Sequence, residues 1–487
     1  MKSCRFSRLA VLILACLQGW SGRAQVPNKT HYTLLFPSYL ADDCLLCGRP
    51  TIHEPLRGTF DLVLVQDTPP YTRYAMQNIQ FTSSPGLALE KHVTGDGAYQ
   101  QLEEFALTQD MTLALQVISS VTNEPAYFTN ATSTVDVPFP LIQATLTQTN
   151  GNFAHTLTIH LLAAPVQEIW FSTSQPVIST NRQAPTNVIS SGDLVSSTGR
   201  VIRRNGDLLA RLGVMPPVPD LGLDAIEVTA GGEMLFSLVT DVFSETLGPI
   251  QHGDLVSDRG RIVKRNQELL AAFHPNSTND AGLDAVQLMP DGSILFSVQS
   301  NVFVSDKLTL SGGDILSDQG KVYLTHQQLF SNFQPAITNQ DFGLTALRVL
   351  PSGEIWFSVE QGFTDNRLGS IEPGDLLSSL GYKVFSNQDL VAALAPADAS
   401  TNYGLDALFV VTDTLPAQSP PRIVRQTVSG TQLHFEWAGP GSAFQVQSAS
   451  DPAGPWLPAS PILPDLTWNT IVNPSVGKPL FYRLRQW

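Results

Sequence analysis

Apolar positions along this chain fall in short runs that alternate with polar ones, and glycine or proline interrupts most of them. Gly58-Thr59-Phe60-Asp61-Leu62-Val63-Leu64-Val65 and Met111-Thr112-Leu113-Ala114-Leu115-Gln116-Val117 are examples from the first third. A period of two places one set of side chains on each face of a strand, so these runs predict half-buried β-strands. Asn150-Gly151, between Leu141–Thr149 and Phe153–Ile159, predicts a hairpin closed by a type I′ turn. An antiparallel β-sandwich or barrel over residues 25–165 follows, its last strand running through Ala164-Pro165 into the next region.

From residue 166 the pattern becomes a repeat. Gly192-Asp193, Gly253-Asp254, Gly313-Asp314 and Gly374-Asp375 stand about 60 residues apart, each followed by an apolar pair and Ser. Gly222-Leu223-Asp224-Ala225, Gly282-Leu283-Asp284-Ala285, Gly343-Leu344-Thr345-Ala346 and Gly404-Leu405-Asp406-Ala407 recur in register with them. Glycine-containing turns lead on to Leu235-Phe236-Ser237, Leu295-Phe296-Ser297 and Trp356-Phe357-Ser358. Each unit therefore offers four short strands, the content of a propeller blade. The fourth copy stops after Leu405–Val411 without its Phe-Ser strand, and Glu168-Ile169-Trp170-Phe171-Ser172 supplies that strand at the front. Pairing the first and last edges closes a ring and removes exposed strand edges, so residues 166–413 are expected to form a four-bladed β-propeller. An open solenoid would need capping repeats at both ends, and none is evident.

The Leu-Asp-Ala start and the Phe-Ser strand, followed five or six residues on by Phe243, Phe303 or Phe363, resemble hemopexin-like repeats over about 22 residues per unit. That resemblance implies architecture only. Pro416, Pro420 and Pro421 mark a linker over residues 414–421. Beyond it, Leu433–Trp437, Ala443–Ser448 and Leu480–Arg485, with Trp437 and Tyr482 pointing inward, resemble strands of a fibronectin type III-like sandwich over residues 422–487. The whole is similar to modular exported bacterial repeat proteins, a resemblance that implies an all-β architecture and no reaction.

Lys2, Arg5 and Arg8 precede the apolar run Leu9–Leu17, and small residues follow at Gly22 and Ala24, the pattern of a secretory signal peptide over residues 1–24. Lipid anchoring at Cys16, within Ile13-Leu14-Ala15-Cys16, is the alternative. No run is long enough for a transmembrane segment, so a secreted, periplasmic or cell-surface location is expected. Without its leader the chain keeps 24 basic residues against 43 acidic ones, a net charge of −19. Nucleic acid and anionic membranes, which recruit Lys and Arg, are excluded as partners through bulk charge.

Loss of the leader leaves Cys44 and Cys47. In an oxidising compartment the pair is expected to form a local disulfide. A zinc knuckle would want a second ligand pair, to which His53 and Asp43 are awkward candidates, and a thioredoxin-type redox pair would want a helix beginning at Cys44.

Asp224, Asp284 and Asp406 occupy equivalent starts of the innermost strands, with Thr345 breaking the set. In a closed ring they would surround one channel mouth, where Ca²⁺ would relieve their repulsion. The competing reading makes each Asp an acceptor for turn amides, which is also the reading given to Asp193, Asp254, Asp314 and Asp375. No nucleophile elbow, zinc-protease motif, Walker loop or dinucleotide fingerprint occurs. His155 and His160, five residues apart, belong on opposite strand faces and form no metal pair, and His326 stands where other copies have Asn. The expected function is a non-catalytic exported binding or scaffold protein with polysaccharide or cell-envelope protein partners. The alternative is an extracellular glycan hydrolase using carboxylates at the channel. Neither ligand identity nor oligomeric state is written in the sequence.

Overall fold

The computed structural model describes residues 29–487 apart from 45, 88, 104–106, 153, 181–186, 278, 414–418 and 472–479. The leader, Cys16 and most of the 414–421 linker lie outside the described residues. The described chain is all-β, in many sheets, with a few one-turn helices.

In the first region the alternating runs become long strands: Ile52–Thr68, Tyr71–Ser83, Lys91–Glu103 and Leu107–Ile118 pair consecutively, followed by Asn123–Thr129, Ile142–Gln148 and Thr156–Phe171. Lys29–Leu34 and Tyr39–Asp43 each pair with both Ile52–Thr68 and Thr156–Phe171. The pairings thus run in a closed circuit, the barrel of the two expected forms rather than the two facing sheets of the sandwich. A period of two shows that one face is inward, but it does not show whether the two edges of a sheet meet. Tyr32, Phe60, Phe81, Phe128, Leu146 and Ile159 share the single core inside the circuit. The hairpin between Ile142–Gln148 and Thr156–Phe171 is present, with Thr147 opposite Thr158. Its expected two-residue turn is not, because Gly151 lacks the positive φ that type I′ requires and Asn152 pairs with His155 further out.

The repeats form four four-stranded sheets. From inner to outer strand, the first is Ala225–Val228, Met234–Ser237, Leu255–Ser257 and Arg261–Lys264. The second starts at Ala285–Leu288 and the third at Ala346–Val349, in the same order. The fourth sheet is assembled from both ends of the region. Its inner strand Leu408–Thr412 pairs antiparallel with the end of Thr156–Phe171, from Val166 opposite Thr412 to Phe171 opposite Leu408, and Leu194–Ser196 and Val201–Arg203 complete it. The four inner strands touch in cyclic order, first to second, second to third, third to fourth and fourth to first.

Serine hydroxyls tie each sheet to the next. Ser172 Oγ donates to the Leu223 carbonyl at 2.6 Å, Ser237 to Leu283 at 2.7 Å and Ser297 to Leu344 at 3.2 Å. In the last step Thr345 Oγ1 donates to Leu405 at 2.8 Å, and Ser358 Oγ is left buried without a partner. Each repeat also carries a short helix, such as Asn205–Leu209 with Leu208 and Leu209 buried, and a two-stranded hairpin such as Val242–Ser244 with Gly248–Ile250. The four-strand reading of the unit lacked both additions.

The C-terminal region has two three-stranded sheets, one of Arg422–Ser429, Gln432–Ala438 and Thr467–Ile471, the other of Leu457–Pro458, Phe444–Ala449 and Phe481–Gln486. Trp437 is buried between them and Tyr482 packs against the same core. Both flanking regions dock where the repeat hairpins turn. Arg57 Nη1 donates to the Gly353 carbonyl at 3.0 Å and Thr59 Oγ1 to the Tyr382 hydroxyl at 3.0 Å. Gly231 N donates to the Gly441 carbonyl at 3.1 Å, Arg200 Nη2 to that of Ile462 at 3.0 Å, and Arg203 pairs with Asp465. The opposite end of the ring, where the Gly-Leu-Asp-Ala blocks begin the inner strands, stays open.

Candidate functional site

A cavity of about 680 Å³ occupies that open end, lined only by repeat residues. Asp224, Asp284, Thr345 and Asp406 line it at the four equivalent strand starts. Two residues past each repeat serine, Val239, Gln299, Glu360 and Ser174 add a second tier. The glycine of each block makes this tier fit. Gly222, Gly282, Gly343 and Gly404 all have φ near +70 to +80°, and a Cβ on Gly222 would lie 2.5 Å from a methyl of Val239. The two tiers together give every repeat one carboxyl, because the charge missing at Thr345 returns one tier out at Glu360. No Lys, Arg or His stands among the lining residues.

The turn amides are not held by these aspartates. Asp220, Asp280, Asp341 and Asn402, two residues before each glycine, accept from the amides of Gly222, Gly282, Gly343 and Gly404. Asp406 Oδ1 accepts from Ser174 Oγ at 2.6 Å, whereas Asp284, 5% exposed, has a buried Oδ1 with no partner. By contrast Asp193, Asp254, Asp314 and Asp375 are fully engaged. One oxygen of each accepts the amide three residues back, and the other accepts the amide of Asn205, Asn266, His326 or Asn387. These four are joints of the scaffold.

Burial without compensating donors disfavours the ionised form of a carboxyl. Burial is the largest cause at all three mouth aspartates. It pushes Asp406 up to about 6 against the pull of the Ser174 hydroxyl, and it pushes Asp284 up to about 8 together with the charges of Glu360 and Asp406. Asp224 is raised well above the ordinary range, with Asp284, Asp406 and Glu360 all adding to the effect of burial. With Asp224 and Asp284 raised in this way, the mouth holds protons as well as negative charge near neutral pH. Among the described residues no group of three or more His, Cys, Asp or Glu side chains is placed to hold a metal ion.

Behind this mouth the ring is plugged. Two residues past the alanine of each Gly-Leu-x-Ala block stand Glu227, Gln287, Arg348 and Phe409, all on inner strands. Arg348 Nη1 reaches across to Glu227 Oε2 at 2.9 Å and its guanidinium lies 4.5 Å from the centre of the Phe409 ring. Glu227 Oε2 also accepts the Leu288 amide at 3.2 Å, and Gln287 exchanges two hydrogen bonds with the Val349 backbone. These contacts join all four sheets and fill the expected channel. A separate cavity of about 540 Å³ lies on the far side, bordered by Trp487 and Ser442 of the C-terminal region.

Elsewhere, Cys44 and Cys47 form the expected disulfide, with Cα atoms 5.4 Å apart. His155 lies 3.2 Å from Asp42, and His160 pairs with Thr145 at 2.9 Å. His326 Nδ1 lies between Ser311 and Asp314, in the scaffold joint of its repeat. No helix among the described residues is long and apolar enough to cross a membrane.

No family model matches the chain, and no curated protein matches it. Among solved structures, the extracellular domain of a hybrid two component system from B. thetaiotaomicron aligns over 91% of this chain and 82% of that one. The identity is 9% and the TM-score 0.20. Such a likeness is too weak to set fold or function.

Proposed function

We propose that the chain is an exported, non-catalytic binding protein in which a four-bladed β-propeller, set between a closed β-barrel and a fibronectin type III-like module, takes its ligand at the carboxyl-lined mouth. The cyclic contact of the inner strands and the pairing of the first edge with the last support the propeller. The leader pattern and the Cys44–Cys47 disulfide support export. One observation carries the binding role: a concave site of ligand size, including the buried unpartnered Asp284 Oδ1 and Asn402 Nδ2, at the end of the ring that no described residue of the flanking modules lines. Polysaccharide and cell-envelope protein are the partner classes that an acidic exported surface of this kind would meet. The test is a binding panel of envelope polysaccharides and envelope extracts against the mature protein and Thr345→Trp, which fills the mouth. Binding that the substitution abolishes, with the unfolding temperature kept, supports the reading. Binding that survives it moves the function elsewhere.

A second reading, extracellular glycan hydrolysis, is favoured by one observation. A buried carboxyl held near 6, as at Asp406, is suited to donate a proton to a leaving oxygen. Turnover of any glycan in the same panel, lost in Asp406→Asn, would establish it.

A further inference from the structure

We propose that the mouth selects ligands carrying two or more ammonium groups spaced along one molecule, such as a linear polyamine or a de-N-acetylated amino-sugar chain, and that it releases protons as they bind. This deepens the reading of the mouth as the binding site and rests on it.

The site is defined by its acids. Asp224, Asp284, Glu360 and Asp406 are contributed one from each repeat, with Glu372 and Asp220 further out, and no cationic side chain lines the cavity to neutralise them. Elsewhere in the ring some buried acids have such partners, as Glu227 has Arg348 and Glu168 has Arg200, while Glu354 is held by the hydroxyls of Ser378 and Tyr382 and the Trp356 indole. Asp284 in particular is more than nine-tenths buried, lines the cavity, and presents an oxygen that no protein donor reaches. A buried polar atom kept without a partner is costly and is explained most simply by a donor that arrives with the ligand.

The dimensions suit an extended ligand. The carboxyls line a cavity of about 680 Å³, and among the described residues no group of three or more His, Cys, Asp or Glu is placed to hold a metal ion. Several separated ammonium groups could each meet a different carboxyl, while Leu221, Val239, Val359, Leu405 and Pro373 in the wall offer apolar contact to the carbon framework between them. An arriving cation favours the ionised carboxylate, so acids held protonated by burial and by one another would give up protons on binding. The charged groups facing Asp284 across the mouth are Asp224, Asp406 and Glu360, all acidic, so nothing else there opposes this release.

The experiment is titration calorimetry of the mature protein at pH 7.5, in two buffers of different ionisation enthalpy. The probes are spermidine, the glucosamine trisaccharide, its fully N-acetylated counterpart and CaCl₂. The expected result is saturable binding of spermidine or the glucosamine trisaccharide with buffer-dependent heat that reports proton release. Binding of the N-acetylated sugar and of Ca²⁺ should be at least tenfold weaker. Asp284→Asn and, independently, Asp224→Asn should each weaken the favoured probe at least tenfold while keeping a cooperative unfolding transition. Spermidine binding alone would assign free polyamines as the source; binding of the aminated sugar alone would assign the polymer. Equal binding of the N-acetylated sugar, tighter binding of Ca²⁺, or indifference to both substitutions would overturn the charge selectivity and leave the mouth as a binding site. If neither aminated probe binds, the selectivity is overturned, and the Thr345→Trp panel then decides whether the binding reading falls with it.

Discussion

The two ends of the ring handle buried charge in opposite ways, although the same inner strands build both. Two residues past the alanine of each block, chemistry is complementary: Glu227 meets Arg348, Gln287 satisfies a neighbouring backbone, and Phe409 receives the guanidinium face. Just before these strands, chemistry is alike: burial raises the proton affinity of Asp224, Asp284 and Asp406, neighbouring acids add to it at Asp224 and Asp284, and Asp284 keeps an oxygen unpartnered. Folding alone accounts for the matched set, since a paired and hydrogen-bonded charge is tolerated inside a protein. It does not account for the unmatched set, which costs stability in the absence of a ligand. Buried charge is therefore informative about function where its neighbours fail to answer it.

The largest test of this contrast removes the answer from the matched set. Arg348→Met should destabilise the protein by about 3–5 kcal/mol in denaturant unfolding at pH 7, because it strands Glu227, and adding Glu227→Gln should restore most of the loss. A loss below about 1 kcal/mol would mean that the plug is not held by its ion pair.

At the mouth the sign should reverse. The folded carboxyls of Asp406 and Asp284 lie near 6 and 8, above an ordinary aspartate, so their contribution to stability is complete below about pH 4. It is lost as pH rises through 6 to 8. Ligand-free protein should therefore melt at progressively lower temperature from pH 5 to 8.5, and Asp284→Asn should raise the melting temperature by roughly 2–8 °C at pH 8.5 while leaving it nearly unchanged at pH 4. A flat wild-type profile, or a variant that melts lower at pH 8.5, would count against a strained mouth.

The smallest effect compares two serines at one repeat position. Ser237→Ala strips the donor from the buried Leu283 carbonyl and should cost about 1–2 kcal/mol. Ser358→Ala should cost almost nothing, since its hydroxyl is already without a partner and Thr345 serves the corresponding carbonyl. Equal losses would show that these hydroxyls act through packing and not through the bonds between sheets.

What the sequence shows most clearly here is whatever is repeated. Four Gly-Asp and four Gly-Leu-x-Ala blocks at fixed spacing expose the unit, and the phase of the first and last copies points to Val166–Phe171 meeting Leu408–Thr412. The convergence of Asp224, Asp284 and Asp406 follows from the same register. Position-by-position identity fails where neighbours compensate one another. The plug holds Glu, Gln, Arg and Phe at one repeat position, so it carries no signature, and Glu360 supplies a missing charge from a different position than Thr345. Asp220, Asp280, Asp341 and Asn402 were readable as an acidic or amide residue two before each glycine, and they, rather than the strand-start aspartates, hold the turns. The helices at Asn205–Leu209 and its counterparts are too short for a helical period to show. Closure of the first region into a circuit depends on its two edges meeting, which alternation along each strand does not encode.

Val166 lies directly opposite Thr412, so the polypeptide comes into the ring and goes out of it at a single rung. That rung belongs to the turn end, where both flanking modules dock, and the Asp-lined opening is at the other. The architecture is that of a cup on a stem, with the bowl facing away from both outer modules.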